Sequence, residues 1–191
     1  MTVDEQMLAQ HTRFWVKQKI TLMVNRYTVL LAGADGSTGP EVCGVEQKRM
    51  AFKEEVTFRR DGQPFFRFKA RRVMDLAATY DVTTMDGTAI GLFRKDFGRS
   101  LLRSTWHLEQ PGLPEMTGQE RSVAVAVLRR VQDTIPLPFH FDFSTADGRP
   151  VMSVNRKLGL RDTYLLEVHE PTLDRRLAIA MAVALDALQS R

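Results

Sequence analysis

The side chains best suited to chemistry in this 191-residue sequence are basic ones. Arg67, Lys69 and Arg71 alternate along one run, Arg59 lies just before them, and Arg94, Lys95, Arg99 and Arg103 follow around a turn. Clusters of this kind hold phosphate through charge-assisted hydrogen bonds. Near an anionic membrane each such residue adds about 1 kcal/mol of attraction. The competing use of these cations is cross-strand pairing with Glu54, Glu55, Asp75, Asp81 and Asp96. The other reactive types do not assemble. His11, His107, His140 and His169 have no metal-ligand spacing, so no metal site is expected. Cys43, between Val42 and Gly44, reads as a small packed residue and not as a nucleophile. The run Gly33–Gly39 is glycine-rich but lacks the Lys-Ser/Thr of a P-loop and reads as a hairpin loop. No catalytic residue and no cofactor is expected.

The charge balance sharpens the basic signal. Net charge is +4, but the stretch from Lys48 to Arg103 carries 13 Lys/Arg against 7 Asp/Glu, leaving the remainder at −2. A basic half attracts an anionic partner, whether phospholipid, nucleic acid or acidic protein, and a solvated surface with no partner is the bland alternative. Nucleic acid ranks low, because the phenylalanines of this stretch alternate inward and would not stack on bases. A lone cysteine suits a reducing, cytoplasmic setting. The polar, acidic start Met1-Thr-Val-Asp-Glu-Gln gives no sign of a signal peptide.

The elements that must position these residues are strands. Asp35-Gly36, Asp61-Gly62, Asp86-Gly87 and Asp147-Gly148 each separate runs rich in Val, Phe, Tyr and Thr, the strongest short-range hairpin signal. Three of the hairpins look alike: Tyr27–Val29, Tyr80–Val82 and Phe141–Phe143 each lead into an Asp-Gly turn and a strand that exits basic. They read as a repeated element inside one closed structure. Alternation puts Phe52, Val56 and Phe58 on one face, and Phe66, Phe68 and Ala70 on one face, with Arg67, Lys69 and Arg71 opposite. Bringing the apolar faces together requires Phe58 against Phe66 and Glu55 against Lys69, for which a three-residue loop Asp61–Gln63 is expected. Phe139, Phe141 and Phe143 alternate in the same way, and Trp106 reads as inward with Leu102, Ser104 and Leu108.

Two segments read as helices. Thr117-Gly-Gln-Glu120 has the pattern of a capping box ahead of the stripe Val123, Ala124, Val127, Leu128 and Val131, which predicts an amphipathic helix over about 117–133. The second, over about 173–189 with Thr172 as its expected N-cap, has no polar side chain from Leu177 to Leu185. A span needs ~20 apolar residues, so enclosure by protein on all sides is the expected state, and no transmembrane span is expected.

The stretch Arg67-Phe-Lys-Ala-Arg-Arg, then Tyr80-Asp-Val, Asp86-Gly, Ile90-Gly-Leu-Phe-Arg-Lys-Asp96, Ser100-Leu-Leu-Arg-Ser-Thr-Trp106 and the final apolar helix with Asp186 near its end resembles the LURP-one-related and phospholipid-scramblase-like families of the tubby C-terminal-like superfamily. The resemblance runs from about Phe14 to Leu188. It implies a mainly β fold: a closed antiparallel barrel of about twelve strands around the C-terminal helix. Residues 1–12 would be an extension and 13–191 a single domain. It also implies affinity for anionic lipid, as in tubby-type domains. The acidic calcium loop and cysteine-rich segment of scramblases have no counterpart here, so lipid translocation is not expected. The expected function is thus non-enzymatic: binding of an anionic phospholipid or another phosphorylated ligand by a cytoplasmic protein, at most peripheral at a membrane. A protein-binding scaffold, and an enzyme with a site assembled from scattered residues, are the alternatives.

Overall fold

Strict alternation of large apolar with polar residues forms a sheet with one buried face, and here that sheet closes on itself. The computed structural model describes residues 3–20, 24–48, 55–71, 79–96, 105–121, 140–157 and 163–189. A short helix α1 (Val3–Ala9) precedes β1 (Arg13–Ile20), β2 (Val24–Ala32), β3 (Thr38–Lys48), β4 (Glu55–Arg60), β5 (Gln63–Ala70) and β6 (Thr79–Thr84). Then come β7 (Ala89–Asp96), β8 (Thr105–Glu109), β9 (Met116–Glu120), β10 (His140–Thr145), β11 (Pro150–Arg156), β12 (Thr163–Val168) and the C-terminal helix α2 (Arg175–Gln189). The twelve strands pair antiparallel in sequence order, and β1 closes the barrel on β12.

The helix α2 fills the interior. From Leu177 to Leu185 every residue is at most 1% exposed. Phe14, Val29, Phe58, Phe66, Phe68, Phe93, Leu108, Phe141, Phe143, Val154 and Leu166 are buried with it in one core. Strand and helix approach closely at Gly91, where a Cβ would lie 2.7 Å from Leu177 Cδ2 and 2.5 Å from the Glu109 carbonyl oxygen. Each end of α2 has a polar anchor. At the start, the buried Arg175 guanidinium donates to the carbonyls of Ala9 (3.1 Å), His11 (2.8 Å), Glu170 (3.3 Å) and Pro171 (3.3 Å), which ties α1 to the barrel. Near the finish, Asp186 accepts from the hydroxyls of Tyr27 (2.7 Å) and Tyr164. Burial and the neighbouring carboxylate push the Tyr27 phenol far above its ordinary range.

Three Asp-Gly turns share one geometry. The bonds Gly36 N–H to Gly33 O, Gly87 N–H to Thr84 O and Gly148 N–H to Thr145 O are 3.0, 3.2 and 2.9 Å, and each glycine has φ between 83° and 92°. The fourth turn differs from expectation. Phe58 faces Phe66 and Glu55 faces Lys69, as the apolar pattern demands, but Asp61 and Gly62 form a two-residue turn with φ of 49° and 76°. The odd residue is absorbed by a bulge between Phe58 and Arg59. A mirror-type tight turn suits strand twist better than a longer loop, and the bulge restores the faces.

Two helix-start expectations are overturned. Thr117–Glu120 is strand β9, paired with β8 and β10, and not a cap. Its Gly118 lies under the Phe143 ring, where a Cβ would sit 2.3 Å from ring carbons. Ladder pairing outweighs the local capping signal, which is a weak prior. The stripe from Val123 to Val131 lies outside the described residues, as do Phe52, Phe139, Leu102 and Ser104. At α2 the cap is Asp174, whose carboxylate accepts from Arg176 N–H at 2.8 Å, while the Thr172 hydroxyl donates to Glu170. Trp106 and Leu108 are buried, as expected.

Candidate functional site

The basic residues marked by the sequence divide sharply once placed. On the outer face of β5, Arg67 meets Glu55 at 3.4 Å and Lys69 meets the same carboxylate at 3.6 Å. Arg71 is bidentate to Asp81, both bonds 2.8 Å, and that carboxylate raises the guanidinium's pKa further. Arg94 bonds Glu115 at 2.7 Å and faces Glu109 at 3.5 Å. These four cations each meet a carboxylate from β4, β6, β8 or the loop before β9, with Arg67 and Lys69 sharing Glu55, and cross-strand pairing is the alternative use weighed above. Arg99 and Arg103 lie outside the described residues, with Glu54 and Asp75.

Lys95 corrects the expected surface cluster. It shares the face of Gly91 and Phe93, and Gly91 looks onto Leu177 of α2. Its ammonium stands 5.8 Å from the Trp106 ring centroid. Alternation, which made Arg94 outward, sends its neighbour to the inner side, so Arg94 and Lys95 do not form one patch.

Arg59 stands apart. It is exposed, donates to the Gly62 carbonyl at 3.2 Å, and meets no carboxylate among the described residues. It opens into a cleft of about 440 Å³ lined by Arg26, Tyr27, Thr28, Glu41, Gly44, Val45, Arg59, Arg60, Asp61 and Gly62. The cleft lies at the β3–β4 seam, where the two strands share one ladder pair among the described residues, Gly44 with Arg59. The seam is bridged by a side chain. Arg60 Nε donates to the Val42 carbonyl at 3.0 Å, and its guanidinium lies 4.7 Å over the Phe65 ring. Arg26 reaches the same place from β2. Sequence reasoning missed Arg26, Arg60, Glu41 and Asp61. The pair Arg59-Arg60 beside a turn was a local signal, but nothing local connects Arg26 to it.

The remaining reactive groups are placed as follows. Cys43 is buried, and desolvation pushes its thiol up to about 12, so it is inert as a nucleophile. His107 is almost buried between Glu115 (2.6 Å) and Asp96 (3.4 Å) on the outer side of β8. His140 bonds Asn155 at 3.0 Å and His169 approaches Ser153 at 3.5 Å. Among the described residues no three His, Cys, Asp or Glu side chains are grouped to hold a metal ion, and no helix is long and apolar enough to cross a membrane.

A twelve-stranded closed barrel threaded by an apolar helix defines the class of this protein, and the sequence comparison specifies it further. The chain belongs to the LURP-one-related family, whose profile matches residues 41–186. The tubby-like relationship drawn from the sequence is consistent with that membership. No curated protein matches the chain. The matched stretch begins within β3, yet β1 and β2 close the barrel, and Arg26 of the cleft lies on β2.

Proposed function

We propose that this protein is a non-enzymatic binding module whose ligand is an anionic phospholipid headgroup or a like phosphorylated group, held in the β2–β3–β4 cleft. The observation that carries this reading is Arg59: it is exposed, it meets no carboxylate among the described residues, and it shares a cleft with Arg26 and Arg60. Guanidinium groups match phosphate oxygens in geometry as well as charge. The Arg60 guanidinium, stacked over Phe65 and bonded to the Val42 carbonyl, is pre-oriented, which lowers the ordering cost of binding. This reading places the protein in the cytoplasm, at the leaflet that carries the anionic lipids.

Co-sedimentation with phosphatidylcholine vesicles of rising anionic lipid content tests it. Bound protein should increase with anionic content and fall with salt. Each cation near such a surface is worth about 1 kcal/mol, so Arg59→Glu should cost about 2 kcal/mol, roughly thirtyfold in affinity. Arg71→Glu, at a position already neutralised by Asp81, should cost far less. Binding indifferent to anionic lipid and salt, or equal losses in the two variants, would refute the assignment.

A further inference from the structure

The cleft that gathers Arg26, Arg59 and Arg60 also contains two carboxylates, Glu41 and Asp61. Both are exposed, and among the described residues neither forms an ion pair. On the strand faces, by contrast, Glu55, Asp81, Glu109 and Asp142 are each engaged by an Arg or Lys, and at the other Asp-Gly turns Asp35, Asp86 and Asp147 accept hydroxyl or backbone N–H bonds. The Glu41 carboxylate is held against the seam: its Oε1 lies 3.2 Å from the place a Cβ on Gly44 would occupy. Asp61 is the first residue of the tight turn, with φ of 49°. Charges of both signs are therefore presented to one concavity.

A bare phosphate would be attracted by the arginines and repelled by the carboxylates, and like charges brought face to face are costly. A ligand that carries a cation beside its phosphate offsets that repulsion. A primary ammonium brings three N–H donors to two acceptor-only carboxylates. The size is adequate, since small-molecule sites begin at about 300 Å³. We infer that the cleft takes a phospho-amine, a phosphate ester with a primary ammonium a few bonds away, as in phosphoethanolamine. The phosphate lies on Arg26 and Arg59, and the ammonium on Glu41 and Asp61. This inference rests on the phosphate reading above and narrows it.

Titration calorimetry with phosphoethanolamine, inorganic phosphate and ethanolamine tests it on the full chain. Exposed ion pairs are worth about 0.2–1 kcal/mol each. Two of them should make phosphoethanolamine bind roughly twofold to thirtyfold tighter than phosphate. The double variant Glu41→Gln, Asp61→Asn should erase that preference and tighten phosphate itself; Asn tolerates the left-handed turn position that Asp61 occupies. Equal affinities for phosphate and phosphoethanolamine, or a preference unchanged in the double variant, would overturn the inference while leaving the phosphate reading intact. Binding of no phosphate compound removes both. Vesicles of equal charge made with phosphatidylserine, an anionic lipid that keeps the phosphate and ammonium, or with phosphatidylglycerol, which lacks the amine, separate the sources. Preferential recruitment by the serine lipid assigns a membrane headgroup, and binding of phosphoethanolamine without that preference assigns a free phospho-amine.

Discussion

The enclosure of α2 can be tested at Ala182, which is 1% exposed and lies at the middle of a run whose residues from Leu177 to Leu185 are all as buried. Ala182→Glu places a carboxyl group one turn from the apolar Ala178, Ile179 and Leu185, and one turn before the Asp186 carboxylate, which disfavours its charge further. An ionised carboxylate there costs several kcal/mol after relaxation, and the added volume costs about 1–3 kcal/mol more in a packed core. Together these approach the ~5–15 kcal/mol by which a whole domain is stable. The variant should therefore give little soluble folded protein at neutral pH. The side chain escapes part of the penalty by keeping its proton, which raises its folded-state pKa above the unfolded value of about 4.3. Stability then falls as pH rises above that value, by about 1.4 kcal/mol per pH unit until the folded pKa is reached. Ala182→Ser is the control. Its hydroxyl can bond back to the carbonyl one turn earlier, so it should cost only about 1 kcal/mol. Urea unfolding across pH, with soluble yield, reads all of this. An Ala182→Glu protein with a near wild-type urea midpoint, or a midpoint that does not move with pH, would refute enclosure.

Two further outcomes concern the packing around the same helix. Gly91→Ala should lower stability by about 1–3 kcal/mol in thermal or urea unfolding, because the new methyl would meet the Glu109 carbonyl at 2.5 Å and Leu177 at 2.7 Å; an unchanged midpoint would show that β7 and α2 have room to separate. Tyr27, with its folded pKa raised above the ordinary 10.0, holds its proton longer in the folded state than in the unfolded one. Its contribution is intact below about pH 10 and is lost as pH climbs beyond, so the absorbance of ionised tyrosine should rise together with unfolding in an alkaline titration, and a full tyrosine titration of still-folded protein would contradict the Asp186 node.

The family profile and the cleft bear differently on function. The profile covers β4 to Asp186 and so accounts for most of the barrel. The cleft draws on strand β2, ahead of the match. Family membership therefore bears on the architecture from β3 onward, and Arg26 lies on a strand ahead of the matched residues.

The sequence by itself determined the architecture. Asp-Gly turns need backbone that glycine supplies, alternating Phe and Val need one buried face, and nine residues without a polar side chain, Leu177 to Leu185, need enclosure. Each is a local requirement that a reader of residues can apply. Register was legible for the same reason: only one pairing of β4 with β5 brings Phe58 onto Phe66. The loop that achieved it was not, because a bulge and a shorter turn satisfy the same constraint. Other features were decided only in three dimensions. Thr117–Glu120 has a helix-start pattern, yet pairing with β8 and β10 made it strand. Arg67, Lys69 and Arg71 look alike in sequence to Arg59, but Arg67 and Lys69 share Glu55 and Arg71 pairs with Asp81, carboxylates that arrive through strand pairing. Lys95 turned inward over Trp106 while Arg94 stayed out. The cleft lies where β3 and β4 share one ladder pair among the described residues, and the consecutive pairing of β2, β3 and β4 brings Arg26 to the same cleft as Arg59, 33 residues away in the chain. Local chemistry fixes which faces are apolar, but which cations meet a carboxylate depends on what the closed barrel places beside them.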